Sequence, residues 1–267
     1  MKSLTRKNVV ITGAAAGIGR LMALNFAKEK ANLAIIDINR KQLEKTEAEL
    51  AAFKVNVHAY LCDVSDRKDV DKTARQIKRD FDRIDILVNN AGVVSGKPFL
   101  ELTFEDVKRT IDINFLGTVL FTQHFLPDMT ARNDGHVVNI ASSAGLLGMP
   151  HLTDYCASKF ADVGFTDSLR LELKKFGYTG VKLTCVCPYV IDTGMFKGFK
   201  PLMLNPILKP EYVAAQIIRG IKKDKPYVKI PAMVKIIKWI KLLPQDMEDW
   251  IVARMGANRA MDGFKGK

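Results

Sequence analysis

The chain has 267 residues, 41 Lys plus Arg against 29 Asp plus Glu, a formal charge of +12 and 48% hydrophobic residues. That balance excludes a disordered, collagen-like or coiled-coil protein and fits one large globular domain. The charge is uneven: residues 1–196 carry 26 basic and 23 acidic side chains, whereas residues 197–267 carry 15 and 6, so a surface for an anionic partner belongs to the last quarter.

The first residues lead directly into a β-branched run at 8–12, with no room for a signal peptide. Glycines follow, then helical periodicity over 18–30 with Leu21, Leu24, Phe26 and Ala27 apolar. Next come a strand at 32–36, a polar helix at 40–52, a strand at 56–62, a helix at 67–81 and a short buried strand at 84–88. Residues 103–130 read as one long helix or two joined ones, 135–140 as a strand, 153–175 as a helix and 181–187 as a strand. Strands alternating with helices are βαβ crossovers, and strands that are almost continuously apolar belong to a parallel sheet covered on both faces. The predicted fold is a Rossmann-like, doubly wound α/β sheet forming a single domain over 1–267. Residues 197–267, with prolines at 201, 206, 210, 226, 231 and 244, do not continue the alternation cleanly and read as an elaboration of it.

Cysteines at 62, 156, 185 and 187 form no Cys-x-x-Cys pair or Cys/His cluster. No metal is expected, and reduced thiols suit a cytoplasmic protein. No apolar run is long enough to span a bilayer. Nor is there a zinc spacing, a recognition-helix pattern or an aromatic–basic platform, so no nucleic-acid partner is expected.

Gly13, Gly17 and Gly19 lie between the first strand and its helix. Gly13 allows a tight turn, Gly17 lets a pyrophosphate approach the backbone, and Gly19 lets helix and strand pack closely. The phosphates would sit on the free N–H groups of the helix N-terminus. The spacing is G-x-x-x-G-x-G, and a small-residue turn of no further use is the alternative. Asp37 ends the second strand, where a carboxylate can accept both adenosine ribose hydroxyls and repel a 2′-phosphate, so NAD is expected over NADP. It can equally cap the helix starting at Arg40, whose guanidinium could receive a phosphate.

Tyr155 and Lys159 are i and i+4 on one helix face. A phenol near pKa 10 is a poor base, and an adjacent ammonium favours its phenolate. Ser142 follows the strand at 135–140, at the sheet edge where ligands bind in open α/β folds, and its hydroxyl can orient a substrate oxygen. Taken singly, Tyr155 could be an ordinary helix-face aromatic and Asn114 a kink residue.

Jointly, Thr12-Gly-Ala-Ala-Ala-Gly-Ile-Gly19, Asp63-Val64, Asn89-Asn-Ala-Gly92, Asn114, Ser142, Tyr155-x-x-x-Lys159 and Pro188-x-x-x-x-Thr193-Gly194 resemble the short-chain dehydrogenases/reductases across about residues 5–196. The resemblance implies that Tyr155 transfers the proton, Lys159 holds the nicotinamide ribose, Ser142 positions the alcohol or carbonyl, and Asn114 supports a water relay. It places Gly13, Ala16, Gly17, Ile18 and Gly19 at the cofactor phosphates and Asp37, Ile38, Asp63 and Val64 around the adenosine. Asn90, Ala91 and Gly92 line the cofactor, as do Tyr155 and Lys159. Pro188, Val190, Ile191 and Thr193 wrap the nicotinamide. Tyr189 stands where the family usually has Gly, so its ring should narrow or redirect the pocket mouth. Dimers or tetramers through 103–130 and 153–175 are also implied.

Asp154-Tyr-Cys-Ala-Ser-Lys-Phe160, Val186-Cys-Pro-Tyr189, Asp192-Thr-Gly-Met-Phe196, Leu208-Lys-Pro-Glu211 and Leu243-Pro244 are similar to the retinol dehydrogenase and 17β-hydroxysteroid dehydrogenase branch. That likeness implies NAD-dependent oxidation of a retinoid, steroid or long-chain alcohol, or the reverse reduction. It also implies a cytoplasmic location with peripheral attachment to a membrane or lipid droplet. A nucleotide-binding scaffold of the same fold that meets a lipid surface is the alternative.

Met195, Phe196, Phe199, Leu202, Met203, Leu204, Ile207 and Leu208 read as a pliant cover over a greasy substrate, or as packed core. The stretch 232–243 reads as an amphipathic helix, with Lys235, Lys238 and Lys241 on one side and Met233, Ile236, Ile237, Ile240 and Leu243 on the other. Trp239 lies near the boundary. Core packing, a membrane interface and a subunit contact all fit this stretch.

Overall fold

The computed structural model describes residues 3–202 and 206–266. Segments rich in Val, Ile and Leu form seven strands: β1 (Asn8–Thr12), β2 (Asn32–Asp37), β3 (Val57–Leu61), β4 (Ile86–Asn89), β5 (Gly135–Ile140), β6 (Val181–Pro188) and β7 (Tyr227–Ile230). All pair in parallel, in the order β3-β2-β1-β4-β5-β6-β7. The connecting helices are α1 (Gly17–Lys28), α2 (Arg40–Ala51), α3 (Arg67–Asp80), α4 (Phe104–Ile111), α5 (Gly117–Ala131), α6 (Thr153–Lys175) and α7 (Pro210–Lys222).

Side chains alternate along each strand, so each strand feeds two cores. Val9, Ile11, Leu33, Ile35, Ile86 and Val88 pack with Met22 and Phe26 of α1 and Val213 and Ile217 of α7. Val10, Ala34, Ile36 and Leu87 pack on the other face with Ile77 of α3 and Phe121 and Phe125 of α5. The chain winds outward from β1 to β3, then restarts at β4 on the other side of β1. This reversal leaves a crevice at the C-terminal ends of β1 and β4.

Two expectations change, and the open choice at 103–130 is decided for two joined helices. The alternation continues further than its pattern suggested: α7 and β7 add another parallel crossover, with Pro210 at the first turn of α7. A four-residue edge strand whose inward positions are only Val228 and Ile230 is too short to register as an apolar run. The stretch 103–130 is two helices joined by a π-helical turn, Asp112–Leu116, and a Thr103–Asp106 capping box begins α4. The stretch 232–243 is not one helix. It is a 3₁₀ segment, Ala232–Ile236, followed by the single turn α8 (Ile237–Ile240), and α9 (Gln245–Arg254) and α10 (Ala257–Ala260) come after it. Pro231 precedes the 3₁₀ segment and Pro244 precedes α9, so prolines bound this stretch at both ends.

His136, inside β5, is fully buried and its Nε2 lies 2.8 Å from Thr184 Oγ1. Burial holds its pKa down at about 4, against an ordinary value of 6.5. The unfolded chain therefore takes this proton first as pH falls. The stability from neutral His136 is fully present above pH 6.5 and is lost as pH falls toward 4, a total of about 3 kcal/mol. In urea unfolding at successive pH values, the wild type should lose that much more than His136→Gln. A gap between the two proteins that does not change with pH would contradict this.

Candidate functional site

The turn after β1 has to pass very close to the turn after β4. Thr12 Oγ1 accepts from the N–H groups of Asn90 and Ala91 at 2.9 and 3.0 Å, and Asn90 Nδ2 donates to the carbonyls of Thr12 and Gly13 at 2.9 and 3.1 Å. Gly13 has φ +64°, and a Cβ there would lie 2.9 Å from Ala91 Cα. A Cβ on Gly19 would lie 2.0 Å from Gly13 O and 2.6 Å from Asn90 Nδ2. Only glycine fits either place. The close approach of Gly19 is thus to the turn and to Asn90.

Ala16 and the N-terminus of α1 face the crevice, and no side chain caps that helix end. Asp37 is held at the tip of β2: its Oδ2 accepts from Ala15 N–H at 3.0 Å and its Oδ1 from Asn39 N–H at 2.9 Å. It does not cap α2, because Asn39 accepts from Gln42 N–H and fills that role.

Asn114 is fully buried in the π-helical turn. Its Oδ1 accepts from Val93 N–H at 2.7 Å, and its Nδ2 donates to Val93 O and to Ser158 Oγ, both at 3.0 Å. The extra residue of the π turn is what aims this side chain inward, holding the loop after β4 against α6.

At the end of β5 the Ser142 hydroxyl accepts from Ala144 N–H at 3.1 Å and lines the same cleft as Tyr155. Lys159, one turn along α6, donates to Ile140 O and to Asp162 Oδ2, each at 2.9 Å. Burial raises the Tyr155 pKa, while the Lys159 ammonium and the Ser142 hydroxyl oppose the rise. Burial works against the Lys159 ammonium, but Asp162 and Tyr155 outweigh it and keep the group charged.

One cleft of about 340 Å³ joins these parts. It is lined by Gly13, Ala16, Gly17, Ile18, Gly19, Asp37, Asn90, Ala91, Gly92, Ser142, Tyr155, Lys159, Pro188, Val190, Ile191 and Thr193, all anticipated from the sequence. Ile38, Asp63, Val64 and Asn114 do not line it. Ile38 is 65% exposed beyond the β2 tip. Asp63 folds back onto Ser65, accepting from its N–H and hydroxyl, and Val64 packs beside Gly117.

Met195, Phe196 and Phe199 also line the cleft, and the Phe196 ring stands edge-on to Tyr155 at 5.6 Å. Tyr189 turns toward this covering segment: its ring packs on Phe199 and its hydroxyl accepts from Leu202 N–H at 2.9 Å. It therefore anchors the cover as well as lining the cleft. Phe264 packs on Phe196 from the C-terminal end. Met203 and Leu204, expected in the same segment, lie outside the described residues.

Sequence reasoning missed Arg109, a cation at the cleft wall, and Asp162 beneath Lys159. It also missed Asp154, whose Oδ2 accepts from the Ser95 and Thr110 hydroxyls at 2.6 and 2.7 Å. A signal existed for the carboxylates: both fall on the buried side of α6, where an apolar stripe is expected.

With this geometry in hand, the comparisons are specific. The family model for short chain dehydrogenases matches residues 7–202. Epidermal retinol dehydrogenase 2 of Mus musculus is 41% identical over 271 residues, covering all of this chain and 87% of that protein. Estradiol 17-beta-dehydrogenase 11 of Homo sapiens is 40% identical over 245 residues, covering 91% of this chain and 81% of that protein. The crystal structure of a short chain dehydrogenase/reductase from Burkholderia phymatum, in complex with NAD, superposes with TM-score 0.82 at 26% identity, covering 96% of this chain and 98% of that one.

Asn114→Ala removes three hydrogen bonds and leaves the Val93 backbone unpaired, which should cost about 2–4 kcal/mol in urea unfolding. A change below about 0.5 kcal/mol would show that the π turn does not depend on this side chain.

Proposed function

The chain belongs to the short-chain dehydrogenase family, an oxidoreductase acting on CH–OH groups with a nicotinamide cofactor, and we propose that Tyr155, Lys159, Ser142 and Asn114 carry its chemistry on a retinoid, steroid or long-chain alcohol, with NAD as the cofactor. The observation that carries this reading is the meeting of Ser142, Tyr155 and the buried Lys159 ammonium at one cleft, under an aromatic cover.

The crevice fits a dinucleotide. Gly13 and Gly19 make a cradle that a Cβ would close, the α1 N-terminus offers unpaired N–H groups, and Asp37 stands at the β2 tip. Residues 13–19 would bind the phosphates, Asp37 the adenosine ribose and Lys159 the nicotinamide ribose. Ile38, Asp63 and Val64 would border the adenine, and Asn90 to Gly92 with Pro188, Val190, Ile191 and Thr193 would hold the nicotinamide end. When bound, the cofactor accepts or returns the hydride. Asp37 is anionic where a 2′-phosphate would lie, which supports NAD over NADP.

In oxidation, Tyr155 as phenolate accepts the alcohol proton while the C–H electron pair leaves as hydride. In reduction, the Tyr155 hydroxyl returns that proton to the carbonyl oxygen. Ser142 donates a hydrogen bond to the substrate oxygen and steadies the charge that develops there. The Lys159 ammonium stabilises the phenolate. Asn114 acts one step back, fixing Val93 and the face of α6. Phe196, Phe199 and Met195 exclude water and offer an apolar wall, which supports a lipophilic substrate.

The elaboration at 195–267 would serve as substrate cover. A membrane contact near its end is supported by Trp239, Leu242 and Trp250, which are 61, 74 and 68% exposed. Lys238 lies 4.7 Å from the Trp239 ring and is placed to meet anionic head groups. No described helix is long and apolar enough to cross a membrane. Exposed Phe104, Leu116, Phe160 and Leu171 on or beside α4, α5 and α6 suit the subunit contacts expected there.

With retinol, estradiol and aliphatic alcohols assayed on NAD and NADP in parallel, turnover should favour NAD. Tyr155→Phe should lose on the order of 10²–10⁴-fold; unchanged turnover would remove Tyr155 from the reaction. In flotation with anionic vesicles, the wild type should rise and a Trp239→Ser/Trp250→Ser variant should stay behind. Equal flotation of the two would remove these residues from membrane contact.

A further inference from the structure

Helix α6 turns a polar stripe toward the protein interior. Tyr155, Ser158, Lys159, Asp162 and Thr166 recur at helical spacing and are all buried. Most of the stripe is locally satisfied. Ser158 Oγ donates to Tyr155 O, and Thr166 Oγ1 donates to Asp162 O while accepting from Asn139. Asp162 is different. It is 1% exposed, its Oδ2 lies 2.9 Å from Lys159 Nζ, and its Oδ1 is buried without a hydrogen-bond partner. A buried carboxylate is costly, and an apolar side chain could fill the same space without that cost. Its polar contact is with the ammonium that the reaction uses.

We propose that Asp162 is a positioning residue for proton transfer: its carboxylate anchors the Lys159 ammonium against the sheet and offsets part of its charge, so Tyr155 gives up its proton at a higher pH than the Tyr–Lys pair would set alone. This rests on reading Tyr155 and Lys159 as the reacting pair.

The local charges support it. Around Tyr155, burial is the largest influence and raises the hydroxyl pKa. Lys159 and Ser142 lower it, and Cys156 and Asp162 add to the rise. Around Lys159 the ionisable neighbours are Asp162, Tyr155 and Cys185 of β6. Burial raises the Cys156 thiol, and Cys185 is raised by its contact with Cys187 and by burial, so both stay neutral. Asp154 is turned away toward Ser95 and Thr110. Asp162 is thus the one carboxylate in direct contact with the Lys159 ammonium among the described residues. Holding the Tyr155 proton more tightly favours the acid role, hence carbonyl reduction, at a given pH.

The test is a Tyr155 titration that needs no substrate. Tyrosine labelled with carbon-13 at Cζ is incorporated into the NAD-loaded protein, and the Tyr155 resonance is identified by its loss in Tyr155→Phe. In Asp162→Asn it should titrate about one pH unit lower than in the wild type, and Asp162→Glu should restore the wild-type value. Asp162→Ala replaces Asn if that variant does not fold. Titration at the same pH with and without the carboxylate, or in neither protein up to the alkaline limit of folding, overturns the proposal. Failure of the underlying reading is separate: it shows as unchanged turnover of Tyr155→Phe.

Discussion

Thr12 and Asn90 clasp the ends of β1 and β4, and the cleft takes its shape from that clasp. The chain reverses its winding direction between these two strands, so their ends would otherwise splay around an open crevice. Four hydrogen bonds close the gap, bringing Gly13 O so near the start of α1 that no side chain fits at Gly19. The closeness leaves backbone N–H groups as the surface facing an anion. Under the proposed reading, affinity for a dinucleotide phosphate is a property of main-chain packing, which explains why glycine spacing is so informative here.

The side chains proposed to carry the reaction arrive from three further elements, each fixed differently. Ser142 is placed by the end of β5, Tyr155 and Lys159 by the first two turns of α6, and Asn114 by a π turn. The pieces meet because Asn114 bonds both Val93 and Ser158, tying the loop after β4 to α6. An ammonium and a carboxylate are in contact next to a phenol whose ring meets Phe196, and all three groups are buried. In such a setting each charge acts at greater strength than in solvent, so small rearrangements of Lys159 change the chemistry available to Tyr155.

Much of this was legible in the sequence, for identifiable reasons. Strand periodicity and the helices between strands revealed the sheet because both faces are apolar, and the glycines, Ser142, Tyr155 and Lys159 were legible because their roles need fixed spacing. The π turn was not, because it depends on where Asn114 points once folded. Asp162 sits on the buried side of α6, where a carboxylate in place of an apolar residue is a signal, but its partner Lys159 shows only in the fold. Ile38, Asp63 and Val64 rested on resemblance alone, and they do not line the cleft. The stretch 232–243 had helical periodicity, but it folds as a 3₁₀ segment and one helical turn. Its apolar side chains accordingly divide: Val234 goes inward, while Ile236, Trp239 and Leu242 remain exposed.

The C-terminal quarter therefore serves two surfaces. One side, from Met195 to Phe199 and Phe264, closes on Tyr155, and the other exposes Trp239 beside Lys238. That arrangement suits an enzyme taking a poorly soluble alcohol from an apolar phase. Hydride transfer between such an alcohol and the nicotinamide can be followed by isotope: NAD is supplied with retinol, estradiol or a long-chain alcohol deuterated at the carbinol carbon, and the NADH formed is weighed by mass spectrometry. One deuterium should appear in the NADH for each carbonyl product. Unlabelled NADH, or none formed from any of the three, would contradict such transfer.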